Sequence, residues 1–306
     1  MENPLQGYYR HKDLYVKLPT GGKWLKNKPK LTHDGEIGVR PMSMKDELLL
    51  TIPDALYNGQ AIFELIQSVC PDIVDPYELS LPDADVILLA SRASSYDKKF
   101  PVEAKCPKCE TTNMYDVDLQ VVLGKVHLVA EQTEIEIDDL IIELKSNTLA
   151  AVNANNIKTG ELAKMLGNMR EINDLDQSLK EQYSENMQQI AAANIVLIAD
   201  AIVKVIMPDG TEVTDPQHII DWISNSNRKT VTALQKAQTA MNINGIPKSF
   251  EFTCPEEDCG HQFETAVEFN PSFFFTDSSK LAMMQKQSIS SSNNTKTEDP
   301  VSENNS

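Results

Sequence analysis

The cysteines are the residues of this sequence whose type and spacing most directly suggest chemistry. The chain contains five, and four of them form two short pairs, Cys106–Cys109 and Cys254–Cys259. A gap of two to four residues lets two sulfurs point at one ion, and the proline after the first cysteine of each pair stiffens the turn. In a reducing compartment such pairs are more often metal ligands than disulfides. We therefore predict a Zn²⁺ site formed by all four of these cysteines.

The predicted site is structural rather than catalytic, because four thiolates complete a tetrahedron and leave no open coordination position. His261 follows the second pair closely and could replace one cysteine, but a place beside the site is the better interpretation. Two unrelated pairs of free thiols, or an iron–sulfur cluster, are the alternatives. The fifth cysteine, Cys70, precedes a proline at the end of an apolar stretch and is expected to be a small buried hydrophobe.

The flanks of each cysteine pair alternate between apolar and polar residues, which is typical of β-hairpins. Such alternation occurs at residues 100–105 and 114–119 around the first pair, and at 249–253 and 263–269 around the second. We call Cys106–Cys109 the first knuckle and Cys254–Cys259 the second knuckle. The two hairpins are predicted to be the halves of one zinc ribbon, although 148 positions separate them.

The elements that must position these hairpins predict an α+β fold. A small zinc-ribbon module would be combined with short N-terminal helices and a large helical insertion. The expected units are an N-terminal α+β module with the first knuckle at 1–121, a mainly helical insertion domain at 122–248, the second knuckle hairpin at 249–277, and a disordered tail at 278–306. The tail is rich in Ser, Asn and Lys and poor in apolar residues.

Several local signals predict helices and strands. Ser43 and Asp46 have the spacing of a capping box, Asn58 and Asp83 are candidate helix starts, and Asp215-Pro216 is an N-cap followed by proline at the first helical position. Within the insertion we expect strands at 125–130 and 133–137 that continue the ribbon. One long apolar helix at 183–206 is expected at the centre of a helical bundle, and another helix at 229–241.

The charge distribution is uneven. The chain has a formal net charge of −17, but its residues 10–45, which we call the basic segment, contain nine basic and three acidic residues, a net charge of +6. This polarity suggests docking to acidic protein surfaces or self-association as readily as it suggests DNA binding. Glu256, Glu257 and Asp258 place negative charge inside the second knuckle, which disfavours phosphate binding there.

Enzymatic and membrane functions have little support. The sequence contains no glycine-rich phosphate loop, no Gly-x-Ser-x-Gly elbow and no His-Glu-x-x-His motif. We expect a non-enzymatic protein.

The most apolar stretch, 190–207, includes Asn194, Asp200 and Lys204, which favours a buried helix over a membrane span. A soluble protein made in a cytosol is expected, since residues 1–10 lack the hydrophobic region of a signal peptide.

A series of ordered motifs resembles the baseplate hub protein family of T-even-like contractile-tail bacteriophages. They are Leu18-Pro-Thr-Gly-Gly22, Gly38-Val-Arg-Pro-Met42, Lys45-Asp-Glu47, Leu88-Leu-Ala-Ser-Arg-Ala-Ser-Ser-Tyr96 and the first knuckle. The likeness covers roughly residues 14 to 120, and the helix start at Asp215-Pro216 is also similar. One departure is the second knuckle, which has four rather than two residues between its cysteines and so puts its loop geometry in question.

The resemblance implies a baseplate hub component or hub-assembly factor without enzymatic activity. Its partners would be other phage baseplate and hub proteins, with a second copy of the chain possible, no membrane, and nucleic acid not expected. It would be found in the virion tail baseplate, or in the host cytoplasm during assembly. The alternative function is a zinc-ribbon nucleic-acid-binding protein that uses the basic segment.

Overall fold

The computed structural model describes residues 3–129, 133–170, 177–243, 245–267 and 269. The predicted tail at 278–306, and the part of the second hairpin unit after residue 269, lie outside these ranges. Mixed helices and small antiparallel sheets confirm the α+β class.

The N-terminal part combines helices with two antiparallel hairpins. Its elements are β1 (Leu14–Lys17), β2 (Glu36–Val39), α1 (Met44–Leu49), α2 (Pro53–Tyr57), α3 (Gln60–Val69), α4 (Leu81–Ser95), β3 (Lys99–Lys105), β4 (Thr112–Asp118) and α5 (Leu119–Gly124). Strand β1 pairs with β2, and β3 pairs with β4.

The middle and C-terminal parts follow in chain order. They contain β5 (Glu134–Ile137), β6 (Leu140–Leu144), α6 (Leu149–Arg170), α7 (Gln177–Asp200), β7 (Ile202–Ile206), β8 (Glu212–Val213), α8 (Pro216–Asn225), α9 (Arg228–Ile243), β9 (Ser249–Thr253) and β10 (Gln262–Ala266). Strands β5, β6, β7 and β8 form one antiparallel sheet in that order, and β9 pairs with β10.

Helix α4 is the centre of the first hydrophobic core. Eleven of its fifteen residues are buried, and it packs with α3, β1, β2 and the β3–β4 hairpin. Phe252, Cys254 and Phe263 of the C-terminal hairpin belong to the same core. Burial of this apolar surface is the main favourable term in folding. The two ends of the described chain are therefore parts of one packed unit.

A second core lies within the insertion. Ile142 of β6, Val205 of β7, Ile198 of α7 and Ile219 of α8 are buried there together with Leu234 of α9. The helices of the insertion thus cover a sheet, whereas the sequence predicted a mainly helical bundle. The α6–α7 pair is also part of this region, with Leu162, Leu166 and Ala193 buried.

The predicted single helix at 183–206 is wrong, because α7 ends at Asp200 and residues 202–206 form β7. The run Ile202-Val203-Lys204-Val205-Ile206 is rich in β-branched residues, which fit a pleated sheet better than a helix. Asp200 is the last residue of α7, and its carboxylate accepts hydrogen bonds from Asn147 Nδ2 and Thr148 N.

The predicted extension of the ribbon after residue 124 is also wrong. Residues 125–129 form no strand. Their backbone instead donates isolated hydrogen bonds to two other segments. His127 N donates to the Gly245 carbonyl and Val129 N to the Pro19 carbonyl, each at 2.8 Å. Strand β5 belongs to the sheet of the insertion rather than to the knuckle hairpins.

Two of the four predicted helix starts, at Ser43 and Asp215, are confirmed, and the other two are displaced by a few residues. Ser43 and Asp46 form the expected reciprocal capping box at α1, and the Asp215 carboxylate accepts from Gln217 N and His218 N at the start of α8. Asn58 accepts from Gln60 N, although the residue at the cap of α3 is Gly59, with φ of 77°. Helix α4 begins at Leu81, and Asp83 inside it accepts hydrogen bonds from the backbone and side chain of Thr20.

A search of the described helices for a long apolar segment that could cross a bilayer finds no candidate.

Asn147 is the centre of a buried polar network that joins three elements of the insertion. Its Nδ2 donates to the Leu197 carbonyl at 2.8 Å and to Asp200 Oδ2 at 3.0 Å, while its Oδ1 accepts from Gln238 Nε2 and Asn242 Nδ2, both at 2.8 Å. Both N–H donors of the amide and both lone pairs of its oxygen are engaged in hydrogen bonds. This side chain therefore stabilises one arrangement of α7 and α9 around the β6–α6 connection.

We expect Asn147→Ala to lower the free energy of unfolding by about 2 to 3 kcal/mol, because it removes four side-chain hydrogen bonds at a fully buried position. Urea denaturation measures the change. The matched control is Asn156→Ala on the exposed surface of α6, which should shift the stability by less than about 0.5 kcal/mol. Equal urea concentrations at the unfolding midpoint for the two variants would contradict this account of the network.

Candidate metal centre

The structure brings the four paired cysteines together at one end of the two knuckle hairpins. The Sγ atoms of Cys106, Cys109, Cys254 and Cys259 all lie within 4.8 Å of one another. The Cys106–Cys259 Sγ distance is 3.8 Å and the Cys109–Cys254 Sγ distance is 3.6 Å. We call this group the four-cysteine cluster.

These distances fit a tetrahedral metal site. A Zn–S bond of about 2.3 Å places two sulfurs of a regular tetrahedron about 3.8 Å apart, whereas a disulfide needs about 2.05 Å. All five cysteines of the chain are free thiols in the structure. The four-cysteine cluster therefore has the donor set and the spacing of a site for one metal ion.

The backbone of the first knuckle forms a tight turn that directs both sulfurs the same way. Cys106 N donates to the Thr111 carbonyl at 3.0 Å, which closes the hairpin, and Glu110 N donates to the Cys106 carbonyl at 2.9 Å. Glu110, which follows Cys109, has a positive φ of 59°. A left-handed residue at this position turns the chain back into β4.

The second knuckle repeats this turn despite its longer gap. Cys254 N donates to the His261 carbonyl at 2.9 Å, and Gly260 N donates to the Glu256 carbonyl at 3.3 Å. Gly260 follows Cys259 with φ of 51°, as Glu110 follows Cys109. The two additional residues are thus accommodated before the turn, and the longer gap does not prevent convergence of the sulfurs.

An aromatic layer lies between the two hairpins below the sulfurs. The ring of Tyr115 on β4 is 4.6 Å from that of Phe252 on β9 and 6.0 Å from that of Phe263 on β10. Further along, Phe269 lies 5.9 Å from Phe100 and 6.1 Å from Phe250. Aromatic packing of this kind fixes one hairpin against the other. These aromatic residues lie in the alternating stretches from which the sequence predicts the two hairpins.

The cysteines differ in their tendency to ionise. Hydrogen bonds from the backbone and side chain of Thr111 lower the pKa of Cys109 to about 6. Although the backbone hydrogen bond from Glu256 favours the Cys254 thiolate, burial and the neighbouring thiols raise the pKa of Cys254 to about 12. Several thiolates this close repel one another, and a cation among them removes that repulsion. The cluster is thus suited to a divalent, thiophilic ion.

His261 and Cys70 lie outside the four-cysteine cluster. His261 is not a member of the four-ligand group, and its ring stacks on Phe263 with centroids 6.4 Å apart. Cys70 is fully buried in the first core, and burial raises the pKa of its thiol to about 12. Cys70 thus occupies the apolar position that the sequence predicts.

Part of the charge of the basic segment is neutralised within the fold. Arg10 forms an ion pair with Asp46, with 2.8 Å between Nη1 and Oδ2. Lys12 forms an ion pair with Asp72, and Lys26 forms one with Glu78. Arg10 also donates to the Pro41 carbonyl, so its role is to fasten the N-terminal chain to α1. The positive potential at this surface is therefore lower than the number of basic residues in the segment implies.

The comparisons with known proteins identify one family. A family model described as "T4 bacteriophage base plate protein" matches residues 13–276, which include both knuckles and the whole insertion. No curated protein and no solved structure matches the chain.

We expect the purified protein to contain one zinc per chain and Cys106→Ser to lose both the metal and much of the stability. Structural zinc contributes about 10 kcal/mol in peptide models, as much as the whole stability of many domains. Elemental analysis and thermal unfolding with and without a chelator measure both effects.

The matched control is Cys70→Ala, which removes a buried thiol that is not part of the four-cysteine cluster and should retain full zinc content. Wild-type protein that is metal-free and unfolds at the same temperature as Cys106→Ser would contradict the proposed metal site.

Proposed function

We propose a function from the premise that the chain belongs to the T4 bacteriophage base plate protein family. The protein is a component of the baseplate hub, or a factor that assembles the hub, and it docks other tail proteins without catalysing a reaction. A zinc ion on the four-cysteine cluster stabilises the scaffold that presents its docking surfaces.

The observation that carries this proposal is the convergence of the two knuckles around the insertion. Residues 106–109 and 254–259 contribute sulfurs to one group within 4.8 Å, and the chain between them forms the second core. A metal bound there would close a loop of about 150 residues at its base. We propose that residues 122–248 act as one unit, held at a defined angle to the N-terminal module.

Exposed apolar side chains on the N-terminal module support a docking role. Met44 and Leu48 lie one turn apart on α1, with 71% and 59% of their surfaces exposed, and Ile52 follows with 48%. Contiguous exposed apolar surface is typical of protein–protein contact sites. Lys45 and the other lysines of the basic segment that form no ion pair with a described residue would favour an acidic partner.

Mass spectrometry of purified phage particles tests the hub assignment. We expect this chain at a fixed stoichiometry in the tail if it is a building block, and its presence only in tail precursors if it acts in assembly. In either case Cys254→Ser should abolish hub assembly in infected cells, while Cys70→Ala supports it. Normal assembly with Cys254→Ser would refute the proposed role of the metal.

The nucleic-acid-binding alternative has weaker support, because ion pairs neutralise Arg10, Lys12 and Lys26 and the second knuckle carries three acidic residues. We expect no mobility shift of a short DNA duplex at submicromolar protein and physiological salt. Tight retention that weakens steeply with salt would favour the alternative, since counterion release produces such a slope.

A further inference from the structure

Strand β5 forms one edge of the four-stranded sheet of the insertion and pairs with β6 on its inner side. Just before β5, the Thr133 carbonyl accepts a hydrogen bond from Leu144 N at 2.7 Å, so the backbone of Thr133 faces β6. Residues that face the partner strand and residues that face away alternate along an antiparallel ladder. The N–H and C=O groups of Glu134 and Glu136 therefore point outward from the sheet.

These outward backbone groups make β5 an open edge. They form no hydrogen bond with any residue that the structure describes, and such a row of N–H and C=O groups is a template for another strand. The edge is also held in place. Asp138 and Asp139 have φ of 51° and 66°, as a tight two-residue hairpin turn requires, and Asp138 Oδ2 accepts from Thr230 Oγ1 of α9 at 2.8 Å. An incoming strand would meet a preformed edge.

The two faces of β5 differ in chemistry. The side chains of Glu134 and Glu136 are exposed on one face, whereas those of Ile135 and Ile137 are half-buried against the second core on the other. Residues 134–143 as a whole contain five acidic residues and no basic residue. A strand that adds to this edge would thus have one acidic and one apolar neighbouring face.

The acidic charge at this edge is not balanced within the part of the fold that the structure describes. Lys204 on β7 forms ion pairs with Glu143 at 3.8 Å and with Glu212 at 2.6 Å. Glu134 lies opposite Glu143 and, like Glu136, forms no ion pair with a described residue. Because like charges on opposing strands destabilise the pair, these glutamates disfavour pairing with β5 of a second copy and favour a strand that carries cations.

We propose that β5 is a docking edge for an extended, basic segment of another protein, which adds to the sheet beyond β5. Its Lys or Arg side chains lie opposite Glu134 and Glu136, and an apolar side chain between them lies on the face of Ile135 and Ile137. The backbone hydrogen bonds attach the segment, and the alternating side chains select it. The inference rests on the proposed docking function and deepens it by naming one surface and the chemistry of its partner.

The test measures binding of the full chain to a synthetic peptide of about ten residues in which Lys alternates with Val. We expect Glu134→Gln/Glu136→Gln to bind it about threefold to tenfold more weakly than wild type, the range for the loss of two opposite-charge strand pairs. Glu161→Gln/Glu185→Gln, which removes two exposed carboxylates of α6 and α7, is the matched control and should bind like wild type. Equal weakening in both double variants, or equally tight binding of a peptide with Glu in place of Lys, would overturn the inference.

Amide hydrogen exchange provides a second readout that a contact through charge alone would not change. In the chain without peptide, the amides of Ile135 and Ile137 should exchange slowly and those of Glu134 and Glu136 rapidly. The peptide should slow exchange at Glu134 and Glu136 by about tenfold or more, because their N–H groups become hydrogen-bonded. Binding without this protection would overturn the inference.

The outcomes also separate this inference from the proposed function. A peptide that fails to bind, while Cys254→Ser still abolishes hub assembly, would overturn the docking edge and leave the proposed function standing. A chain that binds the peptide but is absent from both phage particles and tail precursors would overturn the proposed function, on which the identity of the partner as a tail protein rests.

Discussion

The fold depends on the convergence of four thiols from two hairpins that are distant in the sequence. The sulfur separations of 3.6 and 3.8 Å are too long for a disulfide and match those around one tetrahedral ion. Close thiolates repel one another. Although the backbone hydrogen bond from Glu256 favours the Cys254 thiolate, burial and the neighbouring thiols raise its pKa to about 12. A bound cation would convert that repulsion into attraction, and the aromatic layer beneath the sulfurs keeps the hairpins aligned.

This convergence explains how the two cores are related. The C-terminal hairpin packs into the core around α4, so the insertion leaves the N-terminal module and returns to it at the same place. Backbone bonds from His127 to Gly245 and from Val129 to Pro19 lie close to this junction. We propose that this scaffold holds surfaces on the module and on the insertion in a defined arrangement. Membership of the baseplate family implies contacts with other proteins of the tail.

Local chemistry in the sequence predicted much of the site and part of the fold. The cysteine spacing identified the cluster, and caps such as Ser43 and Asp215 located helix starts, because these signals act within a few residues. The strand Ile202–Ile206 was mistaken for helix because its apolar run has no clear period, and its pairing with β6 depends on residues 58 to 65 positions away. The Asn147 network also depends on tertiary contacts, which no local pattern encodes.

The central claim is that the four-cysteine cluster holds one zinc ion as a closed, structural site. X-ray absorption at the zinc edge of the purified full-length protein tests it most directly, because it reports both the identity and the distance of the ligands. The account predicts four sulfur neighbours at about 2.3 Å and no oxygen or nitrogen ligand. A spectrum with oxygen or nitrogen in the first shell, or protein isolated without zinc that is nonetheless fully folded, would contradict it.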